Sequence, residues 1–146
     1  MQVDPKIMAA KFKKMSDDLD LPSCELKKIY NSNLAQQLGC WAEAMNKGDD
    51  YHAAVFNAFY GNGLNISDPG VLADIAQSIG LSGNDAIKHI ENKTFKPHVD
   101  SDWQLARKLN LLAAPTYIVN QKKLVGAHPY KRLQNFLEAN GAGKRL

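Results

Sequence analysis

Only two short stretches of this 146-residue chain have the composition of β-strands, and they lie side by side near its end. Thr116-Tyr117-Ile118-Val119 follows Pro115 within "LLAAPTYIVN" (111–120), and "KLVGA" (123–127) comes three residues later. Asn120-Gln121 between them predicts a β-hairpin. A hairpin by itself is marginal in water, and one helix covering one face does not complete an α/β layer. The segment therefore reads as the back half of a larger layer. Pro115 stands at the mouth of the first strand, where a residue with no N–H is tolerated only as a first or edge residue.

Everything before this point has helical periodicity. Six stretches are expected. The first runs from about Pro5 to Leu19, with Ile7, Phe12, Met15 and Leu19 at near-helical spacing, and is broken by Pro22 in "DLPSC". Leu34, Leu38, Trp41, Ala42 and Met45 mark a second helix, begun at Asn31–Asn33 and ended by Lys47-Gly48. "DDYHAAVFNAFYGNG" presents Tyr51, Val55, Ala58 and Phe59 on one face. Asp68 and Pro69 have the N-cap and first-turn pattern of a fourth helix, stopped at Gly80. "SGNDAIKHIENK" and "KPHVDSDWQLARKLNL" supply the fifth and sixth, the latter with Val99, Trp103, Ala106 and Leu109 expected to face inward. A closing helix spans about Pro129 to Ala139. The glycines of "GNGLNISDPG" follow no strand, so they do not make a nucleotide-binding loop.

A hydrophobic fraction of 45% suits one domain with a sizeable core, and no apolar run approaches a membrane span. "MQVDPKIMAAKFKK" lacks the apolar segment of a secretory signal, so a cytoplasmic location is expected. Residues 121–146 carry six Lys or Arg against Glu138, while residues 1–120 are net acidic. No aromatic residues interleave with those cations, so the basic end reads as solvated surface and no nucleic-acid partner is expected. Cys24 and Cys40 are too far apart for a C-x-x-C redox pair and are expected to stay reduced, Cys40 packed in its helix and Cys24 nearer a loop.

Order and spacing together carry a family resemblance. "AAPTYIVNQKKLVGAHPYKRLQNFLE" resembles the C-terminal end of DsbA-like thioredoxin-fold proteins, above all the FrnE-like branch. The stretch from "NSNLAQQLGCWAEAMNK" to "ISDPGVLADIAQSIGL" is similar to the all-helical insertion between the halves of that fold. The resemblance implies an α/β, predominantly helical, thioredoxin-like chain. Residues 1–110 would be the insertion-type region and 111–146 the C-terminal β-β-α half. Kappa-class glutathione transferases and hydroxychromene-carboxylate isomerases share the layout, but "VGAHPYKRL" is closer to the FrnE-like ending.

The implied activity is thiol–disulfide oxidoreduction. The family's C-x-x-C, or catalytic serine, precedes the insertion, and "MQVDP" would match only the tail of its second strand. Neither cysteine falls where the nucleophile belongs, so no catalytic residue is assigned and the chain is expected to be a truncated or catalytically incomplete form. What transfers is Pro115, which in the family follows a cis peptide bond. Ala114, Pro115 and Thr116 would then bind an extended thiol or disulfide peptide, or glutathione, as an added strand. No other cofactor is expected. Two alternatives stay open: a glutathione-binding transferase or isomerase relative, and a non-catalytic binding or dimerisation module. The unpaired hairpin predicts a homo-oligomer.

The remaining candidates have simpler readings. His52, His89, His98 and His128 are scattered without metal-ligand spacing. His52 and Trp41 are expected to be partly buried and structural, and His128, beside the strand end in "GAHPY", is read as structural in preference to a place near the implied substrate face. "NIS" (65–67) and "NKT" (92–94) match glycosylation acceptors by chance, and Glu91, Asp100 and Asp102 fit a charged helix surface.

Overall fold

The computed structural model describes residues 5–143. Residues 1–4 of "MQVDP" lie outside that range, and Pro5 opens a helix. The chain divides into two compact units, Met1–Ser101 and Asp102–Leu146. The division falls within the sixth helix, α6 (Lys96–Lys108), rather than after it.

The first unit is helical throughout. It contains α1 (Pro5–Asp18), α2 (Asn33–Ala44), α3 (Gly48–Phe56), α4 (Pro69–Ser78) and α5 (Gly83–Glu91). Local chemistry sets most of these bounds. Asp68 accepts from the Gly70 N–H at 2.8 Å with Pro69 in the first turn, which caps α4 as its sequence predicts. Ser82 does the same for α5 through the Asp85 N–H at 3.1 Å. Asn31 accepts from the Asn33 N–H at the start of α2. That helix stops at Ala44, and Gly48, expected to close it, instead opens α3.

α3 does not end where its hydrogen-bond pattern first changes. It widens into a π turn over Asn57–Gly61, which keeps Ala58 and Phe59 on the buried side begun by Tyr51. The core gathers Leu38, Trp41 and Ala42 from α2, Tyr51 from α3, and Leu72, Ile75 and Ala76 from α4. Leu38 and Leu72 are fully enclosed, so truncating either to Ala should cost about 2–5 kcal/mol. Gly39 lets α3 approach α2 closely, since a Cβ there would meet the His52 ring nitrogen at 3.2 Å.

Two expectations about faces need correction. Of the residues placed inward on α6, only Val99 is buried; Trp103 is 52% and Leu109 42% exposed. The apolar periodicity continues along the helix after it leaves the first unit's core. His52 is exposed while Trp41 is buried, because α3 turns Tyr51 inward and carries its neighbour outward.

In the second unit, β1 (Thr116–Val119) and β2 (Lys122–Val125) form a two-stranded antiparallel sheet, followed by α7 (Tyr130–Ala139). Their register pairs Thr116 with Val125, Tyr117 with Leu124, Ile118 with Lys123 and Val119 with Lys122. Asn120 and Gln121 both take positive φ, at 44° and 66°. This is the two-residue turn whose twist matches the strands. Among the described residues, none of those from 102 to 143 is fully buried.

Candidate functional site: the free edge beside Pro115

The second unit is held together largely by polar links between the hairpin and helix ends. α6 closes with Asn110 at φ 52°, the Leu111 N–H returning to the Ala106 carbonyl and the Asn110 N–H to Arg107. Those two bonds are a left-handed helix stop. It leaves the carbonyls of Leu109 and Asn110 over, and the Lys123 ammonium of β2 donates to both. α7 closes the same way at Gly141 (φ 84°). There the leftover Asn140 carbonyl accepts from the side-chain amide of Asn120 in the hairpin turn, at 2.6 Å.

This scaffold presents the residues singled out in the sequence. The Ala114–Pro115 peptide bond is cis. Ala114 and Pro115 are exposed and Thr116 is half-buried. The Thr116 hydroxyl donates back to the Ala113 carbonyl at 2.6 Å, which closes a tight turn around the proline. The Pro115 carbonyl accepts from the Gly126 N–H at 2.8 Å, and Gly126 needs its φ of 98° to be there.

The alternation of an antiparallel ladder fixes what is left. Pro115, Tyr117 and Val119 aim their main-chain groups at β2, opposite Gly126, Leu124 and Lys122. Thr116 and Ile118 therefore direct their N–H and C=O groups to the opposite edge. Among the described residues no third strand joins the sheet there. Such an edge can take an extended chain by main-chain hydrogen bonding alone. His128 is not turned toward it: its ring nitrogen meets the Val125 carbonyl at 2.9 Å.

The cysteines lie elsewhere. Neither is in a disulfide, and both are half-buried in the first unit. Cys40 is inside α2, and Cys24 sits in the segment before it, its N–H bonded to the Tyr60 carbonyl and its Sγ 3.8 Å from the carbonyl of Phe59. Neither occupies a helix N-terminus, the position that would favour the thiolate. Asp100 is engaged by Lys96 at 2.6 Å, and Asn65 accepts from Ser67 in the turn before α4. Asp100 and the "NIS" triplet thus have structural employment. Lys123 carries no sequence motif and Asn120 only that of a turn, and it is their contacts that show they position the edge.

A twisted edge strand beside a cis-proline, closed by a helix and joined to a helical unit, defines a thioredoxin-like chain. The sequence profile of the DSBA-like thioredoxin domain matches residues 1–138, and this chain belongs to that family. Disulfide bond formation protein D of Bacillus subtilis (strain 168) is 28% identical over 105 residues, 71% of this chain and 47% of that protein. The YwbO protein of the same strain is 30% identical over 88 residues, 60% of this chain and 44% of that one. The thiol:disulfide interchange protein DsbA of Pseudomonas syringae pv. tomato is 30% identical over 86 residues, 59% of this chain and 40% of its own length. The chain thus spans about half the length, or less, of these curated relatives. In structure it resembles 2-hydroxychromene-2-carboxylate isomerase, with a TM-score of 0.75 at 17% identity over 93% of this chain and 65% of the isomerase. That likeness is one of fold.

Proposed function

We infer that this DsbA-family chain supplies the substrate-binding strand of a FrnE-like thiol–disulfide exchange site. Ala114, Pro115 and Thr116 receive an extended thiol or disulfide peptide, or glutathione, along the β1 edge. One observation supports this reading above the rest: the main-chain groups of Thr116 and Ile118 face away from β2, with no partner strand among the described residues. The C-x-x-C pair of a redox centre is not among these 146 residues, so the chain's own part is binding rather than electron transfer. Among the described residues, no helix is long and apolar enough to cross a membrane. A cytoplasmic setting suits two half-buried thiols that are not joined in a disulfide.

The test is a titration with a disulfide-containing extended peptide, followed by amide NMR. Shifts should concentrate at Thr116 and Ile118 and spare Lys122 to Leu124; glutathione should perturb only residues 114 to 116. Absence of any shift on β1 sinks the reading. In an insulin-reduction assay the chain alone should be inactive, and clear activity would give Cys24 or Cys40 a redox role.

The same edge favours a second reading, self-association. β1 carries no charge, whereas Lys122 and Lys123 discourage pairing along β2. Two copies joined through β1 would form a four-stranded sheet across a two-fold axis.

A further inference from the structure

A cavity of about 400 Å³ opens in the helical unit among the segment before α2, α2, α3 and the π turn. That volume falls in the lower part of the range of small-molecule sites, about 300–1,000 Å³. Half of its lining residues carry rings: Tyr30, Tyr51, His52, Phe56, Phe59 and Tyr60. These rings already pack tilted or edge to face, Phe59 against Tyr60 with centroids 4.8 Å apart and Tyr30 against Phe59 at 6.3 Å. A further ring extends such an array favourably.

Among the described residues no Asp, Glu, Lys or Arg lines the space, and its one titratable nitrogen base is the His52 imidazole. A charged occupant would lose water without gaining a counter-charge. The polar side chains of the lining include Ser32, Gln36 and His52. Ser32 and Gln36 form a hydrogen-bonded pair at 2.8 Å in the lining. Tyr51, 1% exposed, lines the space with its ring, while its hydroxyl is closed off from solvent and has no hydrogen-bond partner among the described residues. The π turn serves this geometry, since it brings Phe59 and Tyr60 to the same cavity as Tyr51 and Phe56.

We propose that this ring-lined cavity is a binding site for a neutral aromatic small molecule bearing one polar substituent. It uses none of the residues of the β1 edge and stands independently of the function inferred there.

The probe is N-phenyl-1-naphthylamine, whose fluorescence rises in apolar surroundings. Titrated into the full chain, it should give a saturable one-site enhancement. Its sulfonated analogue, 8-anilino-1-naphthalenesulfonate, should bind about tenfold more weakly or worse because its charge has no partner. Val55→Trp fills the cavity from α3 and should weaken the neutral dye about tenfold or more. Ala53→Trp is the control. Ala53 lines the neighbouring groove under Phe12 and not this cavity, so the dye should bind within about twofold of the parent. Circular dichroism checks that each variant stays helical, and Ser32→Phe replaces Val55→Trp if that variant does not. Absence of saturable enhancement overturns the proposal. So does binding that survives the filled cavity, or binding lost in Ala53→Trp alone.

Discussion

The main-chain N–H of Gly126 reaches the carbonyl of Pro115 at 2.8 Å, and this bond decides which edge of β1 is free. It sets the phase of the ladder, so Tyr117 bonds to β2 while Thr116 and Ile118 face away. Ile118→Pro removes one outward donor and no ladder donor, a replacement that an edge strand tolerates. The parent chain is expected to sediment as a dimer or larger. Ile118→Pro should shift it toward monomer without loss of helical circular dichroism. A parent chain that stays monomeric across the accessible concentration range argues against pairing through β1.

The turn offers a separate check on the same hairpin. Gln121 holds a φ of 66°, which costs a residue with a Cβ roughly 1 kcal/mol that glycine avoids. Gln121→Gly should therefore slow exchange of the Tyr117 and Val119 amides by about fivefold. Asn120→Gly relieves a similar backbone cost but loses the bond to the Asn140 carbonyl, so it should protect those amides less than Gln121→Gly does. Equal protection in the two variants would mean that the link to α7 contributes nothing.

Lys123 connects β2 to the leftover carbonyls at the end of α6. Lys123→Met keeps the aliphatic stem and removes the donor, so the unit should lose about 1 kcal/mol. Hydrogen exchange at Leu109 to Leu111 should speed up while the amides of α4 and α5 stay unchanged. Lys123→Arg should restore most of the protection. Uniform acceleration across both units would point to general destabilisation instead.

These contacts show where sequence reasoning reaches and where it stops. Asp68-Pro69, Asn120-Gln121 and the apolar run after Pro115 act through neighbours a few residues away, so their structures follow from local chemistry. The resemblance around Ala114-Pro115-Thr116 was legible because order and spacing survive in sequence. Trp103 was misplaced because helical periodicity says which residues share a face, not how far the facing core extends along it. The π turn at Asn57–Gly61 and the cavity beside it depend on residues from Ile29 to Ile66 meeting in space. The Lys123 and Asn120 bonds likewise join positions 13 to 20 residues apart and leave no pattern in the chain.

Tyr51 supplies a prediction in pH. Its hydroxyl is buried with no partner among the described residues, and burial pushes its pKa above the ordinary value of 10.0 because the phenolate would lose its water. A folded-state pKa raised above the unfolded one gives stability that is complete below about pH 10 and falls as pH rises beyond it, since only the unfolded chain then releases the proton. At pH 7, Tyr51→Phe removes an unsatisfied group and should stabilise the chain by about 1 kcal/mol. At pH 11 the parent should have lost about a further 1.4 kcal/mol relative to the variant, one unit past the unfolded pKa. Urea unfolding of both proteins at the two pH values, read by circular dichroism, measures each difference. A variant that is less stable than the parent at pH 7 would show that the hydroxyl has a partner in solution. A gap that does not widen at pH 11 would show that the phenol reaches water in the folded chain.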